Sequence, residues 1–274
     1  MKIWANSHIG VVAVAHLATS VNPTPNPHES ITPVIDGTTG ILGSAAKEPS
    51  IKRFVLTSSS AATCDPKPDV KFDIDENSWN QEAVKAAWAP PPYEDSRGWA
   101  IYAASKTQGE QALWKWVKEN NPGFVVNTVL PNANFGPSLS LEHQGYPSTA
   151  RWVSTLFQGV ELGLERWKML KNFPPQHYVS VVDDAVLHLA ALILPHVENE
   201  RIFAFAGPFN WNDLLALFRE LYPEKKFVED YADLGRDVSV IKRKARAEEL
   251  LREMGLPGFT RLKDCVKQNV QDLA

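Results

Sequence analysis

This sequence predicts an α/β fold, a parallel sheet with helices on both faces, on three observations. A short apolar run at 53–60, ending in hydroxyls, and another at 124–131 read as buried parallel strands. Between them, residues 99–120 form one long helical stretch. Strand-like and helix-like segments then keep alternating to the C-terminus, the pattern of parallel β-α-β connections.

The expected elements begin with a strand at 10–17 and a helix at 31–47. Ser30 or Thr32 would cap that helix, with Pro33 in its first turn. The strand at 52–58 runs into the hydroxyls of Thr57, Ser58, Ser59 and Ser60. Residues 64–95 are acidic and proline-rich, which suggests a surface connection rather than core. After the helix at 99–120 and the strand at 124–130, a loop passes through Gly136 and Pro137. The C-terminal half should hold a helix near 149–163, a strand at 178–182, a helix at 184–194 and a strand at 201–206. Helices near 211–222 and 241–254 complete it.

Composition narrows the function classes. A net charge of −4 gives no basic footprint for nucleic acid. The run Lys242, Arg243, Lys244 and Arg246 reads as a solvated helix face. Two cysteines suit a reducing compartment, so the cytoplasm is expected. No stretch of about 20 apolar residues predicts a membrane span. The seven histidines form no zinc-type spacing, so no metal is expected, and no G-x-S-x-G elbow supports a hydrolase. His16 and His188 read as packing residues, and Asp183 and Asp184 as caps of their helix.

The most informative segment is Tyr102-Ala-Ala-Ser-Lys106. Positions i and i+4 share one helix face, so the lysine stands beside the tyrosine. An ammonium near a phenol favours the phenolate and lowers its pKa from about 10. Such a pair suits acid–base chemistry on a small carbonyl or alcohol. In open α/β sheets ligands lie outside the carboxyl ends of the strands. The hydroxyl cluster, Tyr102 and Pro131 all belong at that edge.

The segments VAHLATS (14–20), RFVLTSS (53–59), YAASKTQGE (102–110), LPNANFGP (130–137) and YVSVVDDAVLHLAAL (178–192) together resemble the extended short-chain dehydrogenases/reductases. The branch resembled contains dihydroflavonol reductases and fungal aldehyde or ketone reductases. The resemblance implies a Rossmann-like domain over residues 1–137 and a smaller, mainly substrate-binding α/β part over 138–274, interleaved with the sheet. It implies reduction of a small-molecule aldehyde or ketone with NADP, or alternatively NAD. Ser59 would hydrogen-bond the substrate carbonyl, with Ser60 as runner-up. Tyr102 would donate the proton. Lys106 would lower the Tyr102 pKa and hold the nicotinamide ribose. Pro131 and the following loop would wall the nicotinamide, and Ala18 and Thr19 would border the cofactor. Trp152, Phe157, Trp167, Phe173 and Tyr178 suit an apolar pocket, with Trp79, Trp88 and Trp99 at its rim.

The family's opening strand, glycine-rich turn and helix have no counterpart here, so the resemblance implies a Rossmann domain truncated at its N-terminus. Gly37, Gly40 and Gly43 fit the glycine string, but no apolar strand precedes them, and the segment reads better as a helix with glycines that allow close packing. Strand 10–17 would then be an exposed sheet edge, inviting self-association. Two alternatives stay open: a catalytically impaired remnant, and a nucleotide-sugar epimerase or dehydratase of the same superfamily.

Overall fold

The computed structural model describes residues 10–19, 24–159 and 165–274. In chain order the first elements are β1 (Ala13–His16), α1 (Pro27–Ala45), β2 (Arg53–Thr57), β3 (Asp73–Ile74), α2 (Gln81–Ala87), α3 (Gly98–Asn120) and β4 (Val125–Pro131). Next come β5 (Ala133–Phe135), α4 (Leu141–Gln144), α5 (Ala150–Gln158), β6 (Gln176–Ser180) and α6 (Val181–Ile193). The chain closes with β7 (Arg201–Ala204), β8 (Gly207–Phe209), α7 (Trp211–Leu221), β9 (Val240–Ile241), α8 (Lys244–Glu253) and α9 (Leu262–Asn269).

Two compact units share these elements. The first takes Met1–Asp65, Ile74–Leu130 and Leu187–Phe203, and the second the remaining segments. In the first, the strand order is β1-β2-β4-β7, with β1 and β2 parallel and β2 and β4 parallel. β1 is therefore an edge strand among the described residues, and it is flanked by exposed Val12 (65%) and Leu17 (59%).

Strand pleating decides which helix each residue of β2 meets. Phe54 and Leu56 point to one face, where they pack with Leu42 of α1, Leu113 of α3 and Val126 of β4. Each such side chain, fully buried, is worth about 1.5–3 kcal/mol. Arg53 and Thr57, on alternate positions, point to the other face. There Arg53 donates to the carbonyls of Val197 and Leu194 at 2.6 and 2.8 Å, and Thr57 Oγ1 meets His188 Nε2 at 2.7 Å. His188 is thus a packing residue, as expected.

Two local expectations need correction. α1 starts at Pro27 rather than residue 31, because Asn26 supplies the cap: its side chain accepts from the His28 N–H at 3.1 Å. Pro27 takes the first turn, where a missing N–H costs nothing, and Pro33 lies inside the helix. Gly37, Gly40 and Gly43 also fall inside α1, which rules out a strand-to-helix phosphate turn at these positions. A Cβ added at any of the three would meet nothing within 4 Å, so close packing is not their role. The segment 64–95 is likewise more than a surface connection. It holds α2, whose Ala83 and Ala87 are buried, and Asn80 caps that helix by accepting from the Ala83 N–H at 2.9 Å.

In the second unit β5 pairs parallel with β6, and β6 antiparallel with β8. Its core is aromatic: Phe135, Phe157, Tyr178, Phe209, Trp211 and Phe218 are all buried in one cluster. Phe157 and Tyr178 therefore fill this core rather than line a pocket, while Trp152 and Phe173 pack against it with rings 4.6 Å apart. The Trp167 side chain lies outside the described residues. After β5 the backbone turns at Gly136 with φ 143°, where any Cβ would sit 2.7 Å from Val181 Cγ1, so only glycine fits. Asp183 and Asp184 occupy the first turn of α6, and Asp183 also accepts from Thr260 N and Oγ1 at 2.7 and 2.8 Å.

Candidate active site

The site of the first unit forms where β1, β2 and the first half of α3 meet. β2 ends at Thr57, and Ser58 continues the ladder through its N–H to Val129 O at 2.8 Å. Ser59 then adopts extended backbone and caps a 3-10 turn at Ser60–Ala62. Its Oγ accepts from the Ala61 N–H at 3.2 Å, which leaves its own hydroxyl proton free to donate.

The Ser59 side chain acts on the Tyr102 phenol, favouring its ionised form. Tyr102 stands on α3 against the small buried side chains Ala61, Ala83 and Ala103. Burial raises its phenol above the ordinary value, and Ser59 partly offsets this. The resemblance led us to expect Lys106 to lower this phenol; the structure shows burial dominating in the other direction. The reason is where the ammonium points: Lys106 Nζ donates to the Thr57 carbonyl at 3.3 Å. Lys106 itself is only 7% exposed, and burial pulls its pKa down to about 8, against the opposing pull of Glu110.

Lys106 shares a small cleft with Ala18, Thr19, His16, Thr57, Ser58 and Thr38. Both residues assigned to the cofactor border on the basis of resemblance, Ala18 and Thr19, are thus beside the lysine. His16 is held below its ordinary pKa by burial first and by Lys106 second, which keeps the cleft from gaining a second cation. Pro131 ends β4 and is buried, and it belongs to the second unit.

Of the neighbouring hydroxyls, Ser58 is structural: its Oγ donates to Glu110 Oε2 at 2.6 Å. Ser60 opens the 3-10 turn, and its carbonyl accepts from Thr63 Oγ1 at 2.7 Å. Glu110 is the residue that sequence reasoning passed over. One helical turn beyond Lys106 and fully buried, it also accepts from Thr128 Oγ1 at 2.8 Å and from Arg201 Nε at 2.8 Å. Its spacing to Tyr102 and Lys106, every fourth residue of one helix face, was the available signal.

Comparison with known proteins agrees with this geometry. Residues 4–163 match the NAD-binding family described as male sterility protein. Aldehyde reductase 2 of Sporidiobolus salmonicolor is 42% identical over 262 residues, covering 95% of this chain and 74% of that protein. The chain belongs to the extended short-chain dehydrogenase/reductase family.

Within the family, NAD-dependent epimerase/dehydratase terH of Aspergillus terreus is 37% identical over 262 residues, or 96% of this chain and 75% of that protein. The fold matches yeast methylglyoxal/isovaleraldehyde reductase Gre2, solved with NADPH, at a TM-score of 0.76. That match has 23% identity and covers 99% of this chain and 79% of Gre2.

The cleft suits the nicotinamide–ribose end of the family's cofactor. Thr19 Oγ1 is buried without a hydrogen-bond partner among the described residues, and Lys106 brings a buried cation beside it. An orphan hydroxyl and an ammonium fit ribose hydroxyls. The pyrophosphate grip is not built from the Gly37, Gly40 and Gly43 string, which is helix.

Proposed function

We propose that Ser59, Tyr102 and Lys106 are the catalytic set of an NAD(P)H-dependent reductase acting on an aldehyde or ketone of a small molecule. The observation that carries this reading is the Ser59 side chain acting on the Tyr102 phenol, one helical turn before a buried Lys106 whose own cleft is bordered by Ala18 and Thr19. The relatives named for aldehyde reduction, and Gre2 solved with NADPH, support NADP as the cofactor, with NAD as the alternative.

When bound, the nicotinamide supplies the hydride. Tyr102, whose phenol stays protonated at neutral pH because burial raises its pKa, gives its proton to the carbonyl oxygen. Ser59 donates to the same oxygen as negative charge develops there, a contribution of about 2.7–4 kcal/mol in comparable sites. Lys106 and Thr19 hold the ribose, and Ala18 lines its border. Pro131, at the end of β4, walls the nicotinamide. In this reading residues 1–137 serve mainly the cofactor and 138–274 mainly the substrate, a division the two units do not follow, since Pro66–Asp73 and the chain from Pro131 belong to the second and Leu187–Phe203 to the first. The cytoplasm is the proposed location, and the edge of β1 that is unpaired among the described residues is proposed as a surface for self-association.

The test is a fluorescence titration with NADPH followed by NADPH consumption over a panel of aldehydes and ketones. Saturable binding together with consumption is expected. Absence of both at millimolar cofactor discards the reading in favour of an inactive remnant.

A further inference from the structure

Three tryptophans lie near the site, and the structure separates them. Trp79 lies over the Arg201 guanidinium at 3.8 Å. Trp88 donates its indole N–H to Gln108 at 2.6 Å and meets His28 edge-on at 5.0 Å. Those two are occupied by packing. Trp99 differs: it stands one turn before Tyr102 on α3, its ring centroid is 5.7 Å from the phenol ring at 36°, and it remains 48% exposed.

Its orientation is fixed from the same turn that carries Ser59. The Trp99 indole N–H donates to Asp65 Oδ1 at 2.8 Å. Asn80 Nδ2 donates to that same oxygen at 3.1 Å and to the Ala61 carbonyl at 3.1 Å. Ala61 lies in the 3-10 turn that Ser59 caps. Trp99, Tyr102 and Ser59 are thereby tied into one frame through Asp65 and Asn80. An exposed indole held rigidly against a catalytic phenol gives up little rotamer entropy when something packs on it.

From this juxtaposition we infer that Trp99 is a specificity-determining wall, which stacks a flat aromatic or conjugated group attached to the substrate carbonyl. The inference rests on the reductase reading, since it presumes that the carbonyl sits between Ser59 and Tyr102. With the carbonyl oxygen there, the half-exposed indole packed against the Tyr102 ring is the neighbouring aromatic surface for its substituent. An aromatic substituent gains an offset or tilted ring contact that an alkyl chain cannot match. Asp65, bonded to the indole, makes this side of the site unfavourable for a carboxylate or phosphate on the substrate.

The experiment compares kcat/KM for 4-nitrobenzaldehyde and hexanal, with NADPH, in the wild type, Trp99→Leu and Asp65→Asn. Trp99→Leu should lower the aryl-to-alkyl ratio about five- to tenfold, mainly through KM. Asp65→Asn should move the ratio the same way by less. An unmoved ratio, with both substrates losing equally or neither losing, overturns the inference. Binding of 4-nitrobenzaldehyde to Tyr102→Phe protein, measured by calorimetry with and without Trp99→Leu, separates it from the reductase reading. Trp99-dependent affinity without wild-type turnover keeps the wall and discards the reductase. Turnover with Trp99-independent affinity does the reverse.

Discussion

Glu110 and Arg201 form a two-pronged buried ion pair, Nε to Oε1 at 2.8 Å and Nη2 to Oε2 at 3.2 Å. Arg201 spends its remaining donors on the carbonyls of Glu76 and Ser78, both at 2.9 Å, under the Trp79 ring. The pair therefore fastens α3, β7 and residues 76–78 of the 64–95 segment at one point. Removing one partner strands the other charge in the interior. Glu110→Ala should cost about 3–5 kcal/mol in urea unfolding, and Glu110→Leu combined with Arg201→Leu should recover part of the loss. Additive losses in the double variant would argue against direct coupling.

Tyr102→Phe removes the transferable proton while leaving the ring packed against Ala61, Ala83 and Ala103. Turnover should vanish while the circular dichroism spectrum and NADPH binding persist. Ser59→Ala should lower kcat by roughly 10²–10³-fold, the usual cost of one donor at a developing oxyanion. Retained turnover in Tyr102→Phe discards the catalytic assignment.

The pH dependence follows from Lys106. With a folded pKa of about 8, its charge is lost as pH rises through that value, so carbonyl reduction should be level below about 8 and decline above it. The folded pKa lies below the unfolded one, near 10.5, so burial of the charged form is a penalty fully present below about 8. The penalty fades as pH climbs from about 8 to 10.5, and stability relative to Lys106→Met should rise over that window by up to about 3 kcal/mol. Matched pH–stability curves for the two proteins check this.

Gly37 lies exposed inside α1, with open space where a Cβ would go. Gly37→Ala should therefore stabilise the protein by roughly 1 kcal/mol, with no change in NADPH affinity. A loss of cofactor affinity would revive the phosphate-turn reading that its helical backbone excludes.

Much of the first unit could be read from the sequence because its signals are local. The apolar run of β2 and the periodicity of α3 mark both elements within a residue or two of their observed bounds. Proximity of Ser59 to Tyr102 followed from placing both at the carboxyl edge of one sheet. α2 was overlooked because its buried face is made of alanines, which leave little hydrophobic signature. The start of α1 was misplaced because Asn26 sits among prolines that resemble a loop. The Glu110–Arg201 pair, 91 residues apart, has no local signature at all. The direction of the Tyr102 shift also escaped, since burial is a property of the packed fold rather than of the Tyr–Lys spacing.

The pleat of β2 assigns different tasks to neighbours of nearly identical chemistry. Thr57 faces His188, Ser58 faces Glu110 and Ser59 acts on Tyr102, although the three adjacent hydroxyls look interchangeable in the sequence. Deleting one residue among 53–56 would keep every one of those hydroxyls and still exchange their destinations. The enzyme so made would own the whole chemical inventory and have it aimed the wrong way.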